Sequence, residues 1–361
     1  MGAGAKENGG FAVEYRQLGH SGLRVSVQAL GTMTFGDAGA GAAIGGVATS
    51  EARALVDQAL EAGVNLVDTA DIYSNGRSEE IVGEILHGRR GDVLVATKAR
   101  FPMGSGPNDA GLSRQYLVRA CEASLRRLRT DYIDLYQVHE RDGITPVEET
   151  LDALDRLVRD GKVRYIGCSN HSAWHVMKAL GTSERLGFER YISQQIYYSL
   201  LHREAEYELV PLSIDEQVGI LAWSPLAGGL LSGKYGRDRT APAGARHTTD
   251  WREPPIYDED KMYAVIEALA EVASEHGHSP AQTALAYLLA KPGVTSLVVG
   301  ARSGEQLADN LGSATWLLDE GARQRLDEVS AVPLIYPYWH QRNSASDRLS
   351  PGDLTLLGGR V

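Results

Sequence analysis

The sequence predicts an α/β chain folded as a (β/α)8, or TIM, barrel, and three observations carry that expectation. Eight short β-rich apolar runs alternate with helical patterns almost to the C-terminus. Several runs are apolar at nearly every residue, as in Val93-Leu94-Val95-Ala96, which suits parallel strands buried on both faces. Eight such runs joined by helices favour a closed barrel over an open sheet, and 361 residues fit one such domain.

Taken in order, the expected strands are Val25–Leu30, Asn65–Ala70, Val93–Lys98, Tyr132–His139, Val163–Cys168, Ile192–Tyr198, Gly219–Trp223 and Ser296–Val299. The helices between them carry their own end signals. Thr145-Pro146-Val147-Glu148 reads as a capping box with Pro at the first helical position, and Gly161 stops that helix. Ser279-Pro280 opens another helix in the same way. Four departures from a minimal barrel are expected. Tyr15–Val25, with Gly19 and Gly22, reads as an N-terminal hairpin plugging the barrel bottom. Residues 35–48 form a Gly/Ala-rich loop. A long strand-seven loop, Ala227 to Asp258, precedes two auxiliary helices. The last 31 residues, 331–361, carry Tyr336, Tyr338 and Trp339. The expected domain plan is a flexible N-terminus over 1–11, a barrel over 12–335, and a tail over 336–361 placed to reach the active-site mouth. Long loops that follow barrel strands lie at the C-terminal face, where barrel active sites are built.

Composition narrows the partners. The formal net charge is −11, which disfavours nucleic acid and anionic membranes. No apolar run approaches the roughly 18 residues of a spanning helix. Met1-Gly2-Ala3-Gly4-Ala5-Lys6 lacks the apolar core of a signal peptide, and Lys6 breaks the myristoylation pattern. Cys121 and Cys168 are expected as buried free thiols of a cytoplasmic protein.

Chemistry concentrates at the strand ends. Strand two ends in Asp68, with Tyr73 five residues on; strand three ends in Lys98 and strand four in His139. Adjacent strands could bring these four to one mouth. Reducing a carbonyl needs a hydride on carbon and a proton on the forming alkoxide. Tyrosine, with an ordinary pKa of about 10, is a weak acid unless its anion is stabilised. A Lys98 cation would lower that pKa, Asp68 would hold the ammonium, and His139 could orient and polarise the carbonyl oxygen. Singly, each residue has a duller role as cap, packing or surface group. Only the ordered combination carries the reading.

The run Asn65-Leu66-Val67-Asp68-Thr69-Ala70-Asp71-Ile72-Tyr73, followed by Gly76-Arg77-Ser78-Glu79-Glu80, resembles the first signature of the aldo-keto reductase family. Gly31-Thr32-Met33 resembles its end of strand one, and Tyr132-Ile133-Asp134-Leu135 leading to His139 its strand-four motif. Gly167-Cys168-Ser169-Asn170, Gln195, Trp223-Ser224-Pro225-Leu226 and Gly300 to Asn310 fall in order at the remaining positions. The likeness covers roughly residues 12–330, and is strongest to the longer-chain branch with aryl-alcohol dehydrogenases and potassium-channel β subunits. It implies NADPH/NADP+ as cofactor, no metal, and a small carbonyl or alcohol as substrate. It implies Tyr73 as proton donor, with Lys98, Asp68 and His139 as partners. Thr32, Met33 and Asp68 are implied at the cofactor site. Ser169, Asn170 and Gln195 would face the nicotinamide carboxamide, and Trp223 would stack on its ring. Ser224, Pro225, Leu226, Gly228, Lys234 and Arg246 fall on the pyrophosphate side. Gly300, Arg302, Gln306, Asp309 and Asn310 fall on the adenosine side, with Arg302 facing a 2′-phosphate.

Other patterns are weaker. Gly39-Ala40-Gly41-Ala42-Ala43-Ile44-Gly45 has the wrong spacing for a dinucleotide fingerprint and reads as a loop. His171 and His175 lack a third metal ligand and read as helix surface. Arg119, Arg126, Arg127 and Arg129 read as a solvated or ion-paired helix face. Three functional readings stand: carbonyl reduction, alcohol or sugar oxidation, and a non-catalytic NADP-binding regulatory subunit. The resemblance favours an enzyme over the last, because channel subunits commonly depart from the family at the position of His139. Phe35, Phe101, Trp223, Trp251 and Tyr336 suggest an aromatic-lined mouth shaped by residues 35–48, Phe101–Gly111, Glu140–Gly143 and the tail. The sequence is silent on oligomeric state.

Overall fold

The structure, a computed structural model, describes residues 13–36, 46–239, 241–242, 246–248 and 253–357. The flexible N-terminus expected over 1–11, the glycine run at 39–45 and Trp251 lie outside the described residues.

Eight parallel strands close into one barrel. They are β3 (Gln28–Gly31), β4 (Leu66–Asp68), β5 (Leu94–Ala99), β6 (Ile133–Val138), β7 (Val163–Ser169), β8 (Tyr191–Tyr197), β9 (Gly219–Trp223) and β10 (Val294–Val299), with β10 returning to pair β3. Strand alternation divides the core. Ala29, Leu66, Ala96, Leu135, Ile192 and Leu221 fill the interior with Leu18 and Val25. Their neighbours, such as Val67, Val95 and Tyr136, face the helices.

The bottom is closed by the expected hairpin, β1 (Tyr15–Gln17) against β2 (Arg24–Ser26). Leu18 at its turn is fully buried, and Gly19 sits at φ +57°. A Cβ on Gly19 would lie 2.1 Å from the Ile192 carbonyl oxygen, so only glycine lets the plug seat this deeply.

Around the barrel run α1 (Thr49–Glu61), α2 (Arg77–Ile85), α3 (Arg114–Leu128), α4 (Val147–Arg159), α5 (Ala173–Leu186) and α6 (Ala205–Asp215). After the long strand-seven loop come α7 (Glu259–His276) and α8 (Pro280–Leu289), and after β10, α9 (Gly304–Gly312) and α10 (Glu320–Val329). Ser279 caps α8 in a full capping box with Gln282, as its sequence predicts. The box expected at Thr145 does not form. Pro146 holds the N-cap of α4, while Thr145 Oγ1 donates to Asp142 Oδ2 at 2.6 Å, because the 139–146 loop uses Asp142 as its own hub. The arginine face of α3 is only partly solvated: Arg127 turns inward to Glu79 at 2.6 Å.

The tail forms α11 (Tyr338–Ser344) and α12 (Leu354–Leu357), and seats on the outside of α6. Tyr338 stacks on Tyr207 at 5.4 Å, and Val332, Leu356 and Leu357 form a small buried cluster there. Tyr336 is largely exposed beside Trp339. Phe35 is wholly buried in the main core with Leu30 and Val47, so it lines no mouth. No helix among the described residues is long and apolar enough to cross a membrane.

Candidate active site

Strand ends place the four expected residues together at the C-terminal mouth. Asp68 closes β4, Lys98 is the penultimate residue of β5, and His139 follows β6 directly. Tyr73 stands in the turn after β4, where Ser74, Asn75 and Gly76 take left-handed conformations in succession. Asn170, Ser224 and Ala227, at the ends of β7 and β9, are also left-handed without being glycine. Such conformations cost about 1–3 kcal/mol each and cluster where a site dictates the backbone.

Lys98 Nζ donates to Asp68 Oδ1 at 2.6 Å, to the Thr69 carbonyl oxygen at 2.9 Å, and to Tyr73 Oη at 3.4 Å. Lys98 is fully buried and Asp68 nearly so. Burial alone would lower the lysine's pKa, but the Asp68 carboxylate, Tyr73 and the hydrogen bonds outweigh it and hold the ammonium above its ordinary value. Tyr73 is also raised above its ordinary value: burial dominates, and the Lys98 charge offsets only part of it. The sequence-based expectation of a tyrosine lowered by its lysine therefore omits the larger effect, desolvation. His139 packs edge-on to Tyr73 at 5.8 Å and to Phe101 at 4.9 Å. Burial, then the charges of Lys98 and Arg100, hold the imidazole well below its ordinary pKa, so it is neutral with one N–H to donate.

Two further layers escaped sequence reasoning. Asp68 Oδ2 accepts from Gln195 Nε2 at 2.8 Å and from Gln137 Nε2 at 3.4 Å. Gln137 follows Leu135 and precedes His139 on the inward side of β6, so the period of two was the available signal. Behind Tyr73, Glu79 is fully buried, paired with Arg127 and accepting from Thr97 Oγ1 at 2.5 Å. Beside it, Asp71 is fully buried and neither carboxyl oxygen has a hydrogen-bond partner. Burial and then Glu79 raise Asp71 well above its ordinary value.

The remaining expected residues ring the same mouth. Trp223 Nε1 donates to Asn170 Oδ1 at 3.0 Å, and Asn170 Nδ2 donates to the His139 carbonyl oxygen at 3.1 Å, which ties β9, β7 and β6 together. Tyr197, not anticipated, tilts against the Trp223 ring at 4.9 Å. Ser169 Oγ donates to the Gln195 carbonyl oxygen at 2.9 Å. Thr32 is buried, donating to the Asp68 carbonyl oxygen at 3.0 Å; Met33 beside it is half-buried. Ser224 Oγ accepts from the Gly228 N–H at 3.0 Å, with Pro225 buried, Leu226 half-buried and Lys234 exposed. Arg246 opens a short helical turn that folds back on Ala227–Gly229, with His247 Nε2 3.4 Å from the Ala227 carbonyl oxygen. Burial and then the Arg302 charge push Arg246 below its ordinary value, so two guanidiniums share this region. Gly300 and Arg302 are exposed before α9, and Gln306 Oε1 accepts from the Arg302 N–H at 3.0 Å. Asp309 Oδ2 accepts from Ser279 Oγ at 2.8 Å, and the Asn310 backbone carbonyl oxygen accepts from Gln28 Nε2 at 2.7 Å. His171 and His175 lie 6.1 Å apart, His171 preceding α5, and no metal-binding group occurs among the described residues. Cys121 and Cys168 are buried, their thiols pushed up to about 12 by desolvation.

A closed barrel whose mouth holds a buried Tyr–Lys–Asp chain beside a neutral imidazole is the architecture of an oxidoreductase. Residues 29–331 match the Aldo/keto reductase family, and the chain belongs to it. It is 40% identical to an uncharacterized oxidoreductase, YrpG, of Bacillus subtilis, over 89% of this chain and 97% of that protein. It is 38% identical to a probable voltage-gated potassium channel subunit beta of Oryza sativa, over 83% and 90% of the respective chains. It is 34% identical to a versiconal hemiacetal acetate reductase of Aspergillus parasiticus, over 90% and 99%.

Proposed function

We propose that this chain reduces an aldehyde or ketone to the alcohol with NADPH, Tyr73 supplying the proton. The observation that carries this reading is the buried relay Tyr73–Lys98–Asp68, at 3.4 and 2.6 Å, beside a neutral His139. NADPH, when bound, supplies the hydride. The substrate oxygen would sit between Tyr73 Oη and the imidazole. As negative charge builds on that oxygen, Tyr73 donates its proton and Lys98 stabilises the phenolate left behind. Asp68 keeps Lys98 charged and fixed, with Gln195 and Gln137 holding the carboxylate's other oxygen. A charge-assisted hydrogen bond made only in the transition state contributes about 1.5–3 kcal/mol, or one to two decades in rate.

Tyr73 holds its proton at neutral pH, the form the acid role requires, and the Lys98 charge offsets part of the burial that would otherwise make the phenol a still weaker acid. For the cofactor, the observation that fits is the Arg246–Arg302 region at the start of α9. The exposed Arg302 offers a guanidinium there that suits an anion such as a 2′-phosphate. Left-handed Asn170 and Ser224 turn the ends of β7 and β9 in a way that suits the nicotinamide half, with the Trp223 ring as a stacking surface.

NADPH oxidation with 4-nitrobenzaldehyde tests the reading. Turnover with NADPH well above that with NADH is the expected result. Tight NADPH binding without turnover on any of a panel of aldehydes and ketones would overturn it in favour of a regulatory role.

A further inference from the structure

Above the tetrad the mouth carries positive charge that the reduction chemistry leaves unused. On β5 the residues Ala96 and Lys98 face the barrel interior, and the alternation carries Arg100 onto the same side just beyond the strand's end. Its guanidinium lies 5.4 Å from the Phe101 ring, and that ring lies 4.9 Å from His139. Among the described residues Arg100 forms no ion pair; its Nε donates to the Arg141 carbonyl oxygen at 3.3 Å, leaving the two terminal amino groups uncommitted. Arg141, on the neighbouring loop, is exposed and likewise pairs with no carboxylate among those residues, its guanidinium resting 5.8 Å from Trp174.

Two acidic residues lie nearby, and among the described residues neither forms an ion pair with Arg100 or Arg141. Asp142 spends its oxygens on the Leu112 and Ile144 N–H groups and on Thr145. Glu140 accepts the Arg141 N–H at 2.9 Å; burial raises its carboxyl, while that hydrogen bond and the Arg100 charge pull it back, so this side chain sees Arg100 without bonding to it. The loop that follows Arg100 is fixed in place: Tyr116 Oη donates to the Phe101 carbonyl oxygen at 2.6 Å, and Arg119 pairs with Asp109 at 2.7 Å. A fixed, unpaired guanidinium at the rim of a chain with net charge −11 is a local feature, not a property of the whole surface.

We propose that Arg100 is a specificity-determining subsite for an oxyanion on the substrate, so that the preferred carbonyl compounds carry a carboxylate or phosphate a few bonds from the reacting carbon. The planar fork of Arg100 suits two parallel hydrogen bonds to such a group. The Phe101 and His139 rings between it and Tyr73 set the spacing and accept the apolar stretch of the substrate.

This inference rests on the carbonyl-reduction reading, and two measurements separate their fates. Steady-state reduction is compared for 4-carboxybenzaldehyde against its methyl ester, and for glyceraldehyde 3-phosphate against glyceraldehyde. The expected result is a preference for at least one charged member, with the charged-to-neutral ratio of kcat/KM falling about 10- to 100-fold in Arg100→Gln, mainly through KM. The pair that responds identifies carboxylate or phosphate as the recognised group. Calorimetry of terephthalate against terephthalamide, with and without NADP+, gives a readout free of turnover. Tighter terephthalate binding that is lost in Arg100→Gln supports the subsite even if no aldehyde is reduced, in which case only the reduction reading fails. Efficient reduction with both ratios insensitive to Arg100→Gln, and no preference for terephthalate, overturns the subsite and leaves the reduction reading standing.

Discussion

Replacing Lys98 by Met tests how the site is held together. The side chains match in length, so the change removes charge with little change of volume. Lys98 is fully buried and Asp68 is 2% exposed, so the variant strands a carboxylate out of reach of bulk water. Breaking a buried pair by removing one partner costs about 3–5 kcal/mol. Here Asp68 keeps Gln195 at 2.8 Å and a long bond to Gln137 at 3.4 Å, which places the expected loss at the lower end, near about 3 kcal/mol. Urea unfolding followed by circular dichroism at neutral pH measures it. Adding Asp68→Asn removes the stranded charge and should recover at least about 1 kcal/mol relative to Lys98→Met alone. A loss under 1 kcal/mol for Lys98→Met, or a double variant no better than the single, would refute the claim that an uncompensated Asp68 charge is what Lys98 prevents.

Other outcomes follow from the same geometry. The carboxyl of Asp71 is raised by burial and by Glu79, so the folded state binds its proton more tightly than the unfolded chain does, and stability is lost as pH rises from about 4 toward the folded value. Asp71→Asn should therefore match wild type in Tm at the acid end and exceed it increasingly as pH climbs; an advantage that shrinks with pH would contradict this. A Cβ at Gly83 would lie 2.5 Å from the Arg127 carbonyl oxygen and 2.6 Å from the Leu128 carbonyl carbon, so Gly83→Ala should wedge α2 from α3 and cost about 1–3 kcal/mol in urea unfolding. Gly181→Ala on α5 meets nothing within 4 Å and should be neutral or stabilising by comparison. Arg302→Ala should weaken NADPH binding by about 10- to 100-fold while leaving NADH nearly unaffected in fluorescence titration; equal losses for both would remove Arg302 from the 2′-phosphate.

Much of this was legible in the sequence because strands buried on both faces leave dense apolar runs, and barrel chemistry sits at strand ends. Asp68, Lys98 and His139 were placed by that rule alone. Most strand boundaries shifted by a residue or two, as where Ala99 rather than Lys98 ends β5 and Asn65–Ala70 shortens to Leu66–Asp68, but the first shifted further: Val25–Leu30 splits between the hairpin strand β2 and the barrel strand β3, which starts at Gln28. What stayed hidden depends on contacts distant in sequence. Gln195 looks like a free amide until the barrel closes and sets it on Asp68, 127 residues away. Arg127 reads as a solvated or ion-paired group, and which partner it takes is fixed only when α3 packs on α2 and buries Glu79 against it. Thr145 has the pattern of a helix cap, but Asp142 three residues earlier competes for its hydroxyl and wins. Phe35 has the aromatic character of a mouth residue, yet the Phe35–Val47 bridge turns that segment into the core. The raised pKa of Tyr73 needs its burial to be known, and burial is a property of the fold.

The central claim is that Tyr73 is the proton donor of a carbonyl reduction, and Tyr73→Phe measures it most directly. Phenylalanine keeps the ring against His139 and removes only the hydroxyl that meets Lys98 at 3.4 Å. NADPH binding, read by nicotinamide fluorescence, and steady-state reduction of 4-nitrobenzaldehyde should be followed on the same preparation. The account predicts binding close to that of wild type together with a loss of nearly all turnover. Turnover in Tyr73→Phe comparable to wild type would contradict it and remove Tyr73 from the chemistry.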